Sequence, residues 1–226
     1  MNGNNELMVS TNDEHQLIDR VKQLLQASGG KRIVISLAGL PGSGKSFLSA
    51  KIIASLNKQG IKSVCVPQDG YHMYRKQLDM LDNPVEAHIR RGAPFTFNAQ
   101  AFLDLVKTIK TETENDIYAP SFDHALKDPV ENDIHISLDV VVVIIEGNYV
   151  SLKDEIWNEI ETYVDDTWFI DTDLQIIRDR LIKRHLELGI CNSEQEAIER
   201  ADGSDLINAK YILENSKPTL VKISNV

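Results

Sequence analysis

The chain has 226 residues, enough for one α/β domain carrying a modest insertion. With 42% hydrophobic and 26% charged residues its composition is that of a globular protein with a real core. A formal charge of −10, from 34 acidic and 24 basic side chains, argues against a general nucleic-acid binder, because neutralising phosphates takes clustered Lys and Arg; any anionic ligand needs a local basic site.

Residues 1–13 are polar and are expected to be disordered or loosely attached; they lack the basic start and apolar core of a signal peptide. Leu17, Ile18, Val21, Leu24 and Leu25 recur at helical spacing, and Gly29 and Gly30 stop that helix. RIVISLAG (32–39) reads as a buried strand, SFLSAKIIASLNKQG (46–60) as a helix, and KSVCVPQ (62–68) as a second strand. Residues 71–97 are irregular, punctuated by Pro84, Gly92 and Pro94. AQAFLDLVKTIKTE (99–112) reads as a helix and YAPSFDHALKDPVENDI (118–134) as a polar loop or small hairpin. DVVVVIIEG (139–147) is the clearest strand, rich in Val and Ile, and DTWFID (166–171) a short fourth. LQIIRDRLIKRHLELG (174–189) is a basic helix, SEQEAIERA (193–201) a helix capped by Ser193 and Glu196, and TLVKIS (219–224) a last strand. The longest apolar run is too short to span a bilayer, so a cytoplasmic chain without a membrane partner is expected. Cys65 and Cys191 have no metal-like spacing, and Cys65 reads as a buried thiol.

Strands alternating with helices predict a parallel sheet covered on both faces. We count five strands in a single domain spanning 1–226, with 71–135 forming an acceptor-side lobe and 174–190 a lid. Directly after the first strand stands GLPGSGKS, Gly39 to Ser46, which fits the P-loop pattern G-x-x-x-x-G-K-[ST]. Gly39, Gly42 and Gly44 allow positive φ and close approach of the backbone to a phosphate. The N–H groups of Leu40, Pro41's neighbours, Ser43 and the first helical turn through Phe47 then form an anion nest at a helix N-terminus. Lys45 is placed to reach the β- and γ-phosphates, and the Ser46 hydroxyl to ligate Mg²⁺.

Glu146 ends the Val/Ile-rich strand, and ligands in open parallel sheets sit beyond the carboxyl ends of the strands. It is a second candidate Mg²⁺ ligand. Asp69 ends the apolar strand that opens the VCVPQDGYHMYR stretch (64–75) in the same way. A carboxylate facing a P-loop can accept the proton of an attacking hydroxyl, with Gly70 allowing substrate to approach and Tyr71 and His72 walling the pocket.

These segments resemble the phosphoribulokinase/uridine kinase family of P-loop kinases, which includes bacterial pantothenate kinase. The resemblance covers about 33–223 and rests on GLPGSGKS, QDGYH, RRGAPFTFN, PSFDHALKDPV, VVIIEGNYVSL and FIDTDLQIIRDRLIKRH in the family's order. It is strongest to a bacterial subgroup labelled fructose-transport or pantothenate-like kinases. The resemblance implies a P-loop NTPase fold, Asp69 as base, Glu146 in place of the usual Walker-B Asp, and Arg180 and Arg184 as lid arginines closing on phosphates. SDLINAKYILENS resembles that subgroup's D-x-P-N stretch near the adenine, with Ile207 in place of Pro and Asn208 as the matching residue. No N-K-x-D motif occurs, which makes ATP the expected nucleotide.

Arg90, Arg91, Asp123, His124 and Lys127 lie in the irregular stretches between the second and third strands. Asp123 is a candidate partner for acceptor hydroxyls and Arg91 for an acceptor carboxylate or transferring phosphate. His72 and His124 read as pocket walls rather than metal ligands, and Phe95 and Phe97 as lobe packing. The expected activity is transfer of the γ-phosphate of Mg-ATP to a hydroxyl of a small metabolite: a nucleoside, a pantothenate-like compound, or a sugar or glycerate. The alternative is a non-catalytic nucleotide-binding regulator or an ATPase using the same P-loop, which has no need of Asp69. A homodimer is compatible with the chain.

Overall fold

A computed structural model describes residues 6–123 and 125–225. In chain order the first half comprises β1 (Leu7–Ser10), α1 (Glu14–Ala27), β2 (Ile33–Gly39), α2 (Lys45–Lys58), β3 (Ser63–Pro67), α3 (Arg75–Leu78), α4 (Pro84–Ile89) and α5 (Ala99–Thr111). The second half comprises β4 (Ile117–Asp123), β5 (Asp128–Ile136), β6 (Val142–Gly147), β7 (Asp166–Asp171), α6 (Leu174–Glu187), α7 (Glu194–Arg200), α8 (Leu206–Asn215) and β8 (Val221–Ser224).

Six strands form one sheet in the order β1-β8-β7-β2-β6-β3, with every pairing parallel. All residues of β2 and β6 are buried, which is why both read as unbroken apolar runs. Ile33, Ile35 and Leu37 point to the face covered by Leu17 and Val21 of α1 and Leu48 and Ile52 of α2. Val34, Ala38, Val143 and Ile145 point to the other face, against Phe102, Val106 and Ile109 of α5 and Ile212 of α8. Cys65 and Cys191 are both free thiols, and burial pushes the Cys65 thiol up to about 12.

The expectation of five strands needs one correction. Leu7–Ser10, expected to be loose with the rest of 1–13, pairs with Val221–Ser224 and adds a sixth strand at the sheet edge, burying Val9. Four residues carry no readable period, and the partner strand lies at the other end of the chain. The first five residues of that stretch lie outside the described region.

The stretch expected to form a loop or hairpin is the antiparallel β4–β5 hairpin. Within 71–135, α5 belongs to the layer covering the sheet. The hairpin, α3 and α4 stand beyond the end of β3. His72 ties the hairpin to the loop before α5, its ring centroid 4.0 Å from that of Phe97 and 4.8 Å from that of Phe122. Gly70 has a packing reason here: a Cβ on it would stand 2.2 Å from the Pro120 carbonyl oxygen of β4. The hairpin backbone packs directly on the turn that carries Asp69. Among the described residues no helix is long and apolar enough to cross a membrane.

Candidate active site

Because all six strands are parallel, their carboxyl ends share one edge. The register places Glu146 of β6 opposite both Leu37 of β2 and Pro67 of β3. The P-loop leaves the end of β2, and Asp69 follows β3 in a 3₁₀ turn, Gln68–Tyr71. One cleft of about 460 Å³ is therefore lined by Lys45, Ser46, Asp69, Glu146, Asn148, Arg180 and Arg184, together with Pro41, Gly42, Gly44 and Phe47.

The loop has the backbone that the motif requires. Gly42 has φ 76° and Gly44, at the N-cap of α2, φ 95°. At Gly39 the constraint is space, since a Cβ would meet Ser43 Oγ at 2.8 Å and the Ile170 carbonyl at 3.1 Å. Leu40 and Ser43 are buried, and the Ser43 carbonyl accepts from Asn225 Nδ2 at 2.7 Å. Phe47 is 72% exposed, with Lys51 5.6 Å from its ring centroid, so its side chain forms an outer rim.

Lys45 Nζ donates to the carbonyls of Gly39 (3.1 Å) and Leu40 (3.0 Å) and to Asn148 Oδ1 (2.7 Å). Burial lowers its pKa to about 8; Glu146 and Asp69 pull it up and Arg184 pulls it down. The same ring of charge acts on Glu146. Its carboxyl is raised by burial and by Asp69, against the pull of Ser46, Lys45 and Ser49. Glu146 Oε2 is buried with no hydrogen-bond partner. Asn148 was not singled out from sequence, although it stands in the EGNY segment immediately after Glu146. Nothing in a lone Asn distinguishes a lysine partner from a turn residue.

The basic helix α6 forms the far wall. Leu181 packs on the P-loop, its Cγ 3.3 Å from where a Cβ on Gly42 would lie, and Arg180 Nη1 reaches the Gly42 carbonyl at 3.5 Å. Arg180 and Arg184 line the cleft, whereas Arg178 points away into a two-bond pair with Asp202. Gly189 (φ 62°) follows the helix.

Tyr71, His72, Arg91, Asp123 and Asn208 do not line this cleft. Tyr71 packs edge-on against Phe102, with centroids 5.2 Å apart, and burial raises its phenol. His72 Nδ1 lies 2.8 Å from the Asp69 carbonyl, which ties the lobe to the turn that carries Asp69. Arg91 is engaged within the lobe: it donates to the carbonyls of Lys127 and Met73 (2.8 Å to the latter) and to Asp128 Oδ1 at 3.1 Å. Asp123 Oδ1 accepts from Ala125 N (2.7 Å) and Leu126 N (3.0 Å), closing the hairpin turn. Asn208 is buried and accepts from Arg90 Nη2 at 3.1 Å. His124 lies outside the described residues. Phe97 is buried against Tyr149 and Trp157 as expected of packing, while Phe95 is half exposed.

Comparison with known proteins supplies an independent line. Residues 34–188 match the model of the phosphoribulokinase / uridine kinase family. A Schizosaccharomyces pombe protein named "Putative uridine kinase C227.14" is 39% identical over 209 residues, 92% of this chain and 87% of that protein. The "ATP-dependent kinase YFH7" of Lachancea thermotolerans is 32% identical over 240 residues, 90% of this chain and 69% of that protein. Among solved structures, a "putative fructose transport system kinase" from Silicibacter sp. TM1040 superposes with a TM-score of 0.83 at 30% identity, covering 92% of this chain and 97% of that one.

Proposed function

Since the chain belongs to the phosphoribulokinase/uridine kinase family, we propose that it is an ATP-dependent kinase that transfers the γ-phosphoryl group to a hydroxyl of a small metabolite. The observation that carries this reading is the convergence on one cleft of the P-loop lysine, Lys45, with Asp69 and Glu146 from the ends of the two neighbouring strands. A nucleotide-binding regulator needs the P-loop but no carboxylate on the acceptor side.

The donor set suits Mg²⁺. Glu146 Oε2 is buried and unpartnered, and Ser46 adds a hydroxyl at the start of α2. Both are hard oxygen ligands. Among the described residues no group of three His, Cys, Asp or Glu could hold a metal alone, as expected for an ion completed by substrate phosphates and water. Ser46 and Glu146 would hold it, and the ion would neutralise charge on the phosphate oxygens.

The chain's own groups divide the remaining work. The P-loop amides, Gly39 to Phe47, cradle the phosphates. Lys45 exchanges its neutral oxygen partners for β- and γ-phosphate oxygens. Asp69 orients the acceptor hydroxyl and takes its proton as the new oxygen–phosphorus bond forms. The bond from the γ-phosphorus to the bridging oxygen breaks, and ADP leaves with that oxygen. Arg180 and Arg184 balance charge on the outer oxygens, and α6 keeps water from the γ-phosphorus.

The test is ADP release across a library of hydroxyl metabolites, run beside a separate measurement of ATP affinity. Acceptor-dependent ADP release that is lost in Asp69→Asn while ATP still binds is the expected result. ATP binding without release for any acceptor would leave the regulator reading standing.

A further inference from the structure

The lobe carries three arginines, Arg75, Arg90 and Arg91. Two of them share one carboxylate: Arg75 Nε lies 3.2 Å from Asp128 Oδ2, and Arg91 Nη2 lies 3.1 Å from Asp128 Oδ1. Arg90 differs. Among the described residues it has no Asp or Glu within ion-pair distance, in a chain with 34 acidic side chains to 24 basic ones. It is half-buried, its Nε, like that of Arg91, is buried without a hydrogen-bond partner, and its Nη2 is anchored on the buried Asn208. The nearby carboxylate of Asp205 is engaged by His185 Nε2 at 2.6 Å. A guanidinium that is partly withdrawn from water and lacks a counter-charge is costly unless an anion completes it.

Its position says which anion. Arg90 follows α4, in the lobe beyond the end of β3, and stands outside the residues that line the cleft of Lys45, Asp69 and Glu146. Two residues on, the Gly92 carbonyl accepts from the Tyr149 hydroxyl at 2.5 Å. At its other end, Tyr149 donates its backbone N–H to Gln68 Oε1 at 3.0 Å, and Gln68 precedes Asp69. One buried tyrosine therefore spans from the turn of the base to the loop of Arg90. The Tyr149 hydroxyl, raised mainly by burial, feels the charges of Arg90, Asp205 and Asp69 together. The polyphosphate side of the cleft already has its own cations in Lys45, Arg180 and Arg184.

We propose that Arg90, held in place by Asn208, binds an anionic group of the acceptor, so that the acceptor is an acidic hydroxy-metabolite (a carboxylate or phosphate monoester) rather than a neutral nucleoside or sugar. This rests on the kinase reading above and names the substrate class of the same site. Arg91, the arginine that sequence alone put forward for this role, is engaged by Asp128 and main-chain carbonyls. Arg90 has no carboxylate partner among the described residues.

The experiment uses the full chain and four probes: glycerate and ribulose 5-phosphate as acidic acceptors, uridine and fructose as neutral ones. Binding is followed by thermal shift with Mg²⁺ and a non-hydrolysable ATP analogue, and turnover by ADP release with ATP. An acidic probe should bind and turn over in preference to both neutral ones. Arg90→Gln should raise its KM about 30-fold, the loss of one charge-assisted contact, with kcat and the KM for ATP little changed. Arg90→Lys should recover part of the loss. A purely structural role would instead lower the melting temperature and move both substrates' constants together.

The binding arm separates the two readings. Arg90-dependent stabilisation by an acidic probe, without ADP release, upholds the anion site and overturns the kinase reading. The proposal is overturned if a neutral probe is preferred, if no acidic probe shifts the melting temperature, or if Arg90→Gln leaves acidic-probe binding unchanged.

Discussion

Asn148 Oδ1 accepts a 2.7 Å hydrogen bond from Lys45 Nζ, so the P-loop lysine is held by a neutral amide and two main-chain carbonyls instead of a carboxylate. Glu146 and Asp69 act on it only at longer range, and burial wins, bringing Lys45 to about 8. A buried lysine without a direct counter-ion is ready to accept the charge of a polyphosphate.

The first prediction is proton uptake. Phosphate oxygens favour charged Lys45 and raise its pKa, so at pH 8 nucleotide binding should take up about half a proton. Calorimetry of ATP binding in Tris and in HEPES should give enthalpies that differ by that fraction of the difference between the two buffers' ionisation enthalpies. Lys45→Met should remove the difference. The stability linkage has a definite sign as well. A lysine whose folded pKa lies below its ordinary value costs stability when charged, so this cost is present below pH 8 and is relieved as pH rises from about 8 to 10.5.

Asn148→Asp should work against the nucleotide. A carboxylate at that position pairs with Lys45, raises its pKa and repels the incoming phosphates. ATP affinity should fall about tenfold, some 1.4 kcal/mol, and proton uptake at pH 8 should shrink because Lys45 is already charged. Asn148→Ala should weaken ATP much less. Equal losses in the two variants would show that the amide contributes only shape.

Asp69→Asn should keep ATP affinity and lose phosphoryl transfer by roughly 10²–10⁴-fold, because an amide cannot take the proton. Affinity and single-turnover rate are measured separately. A parallel fall in both would make Asp69 a nucleotide-site residue and not the base.

Glu146→Gln should stabilise the nucleotide-free protein. Burial raises the Glu146 carboxyl, so its ionised form costs stability at neutral pH, and that cost disappears as pH falls through the raised value. Removing that cost should raise the melting temperature. The gain over wild type should vanish at acid pH. The same variant should lose the Mg²⁺ enhancement of ATP binding, read by titrating Mg²⁺ at fixed nucleotide.

Gly70→Ala tests the packing of the lobe on the turn that carries Asp69. Its Cβ would come 2.2 Å from a main-chain oxygen of Pro120, which no rotamer change can relieve. The expected cost is about 1–3 kcal/mol, seen as a melting temperature lowered by several degrees. Hydrogen exchange should rise in β4 and β5 first.

The chemistry at the end of β2 was legible in sequence because it is local. GLPGSGKS needs only its own backbone, a strand before it and a helix after it, and all three are written in consecutive residues. Asp69 and Glu146 could be read as strand-end carboxylates for the same reason. Their meeting at one cleft depends on β6 lying between β2 and β3, and strand order is a matter of long-range pairing that no local pattern records. The sixth strand, Leu7–Ser10, escaped for that reason: its partner is more than two hundred residues away. The acceptor side shows the limit most sharply. Arg90 and Arg91 are adjacent and identical in sequence, and only the fold gives Arg91 to Asp128 and Arg90 to Asn208. Residue type fixes what a side chain can bind, but which partner is near enough to hold it is decided by contacts between segments distant in the chain.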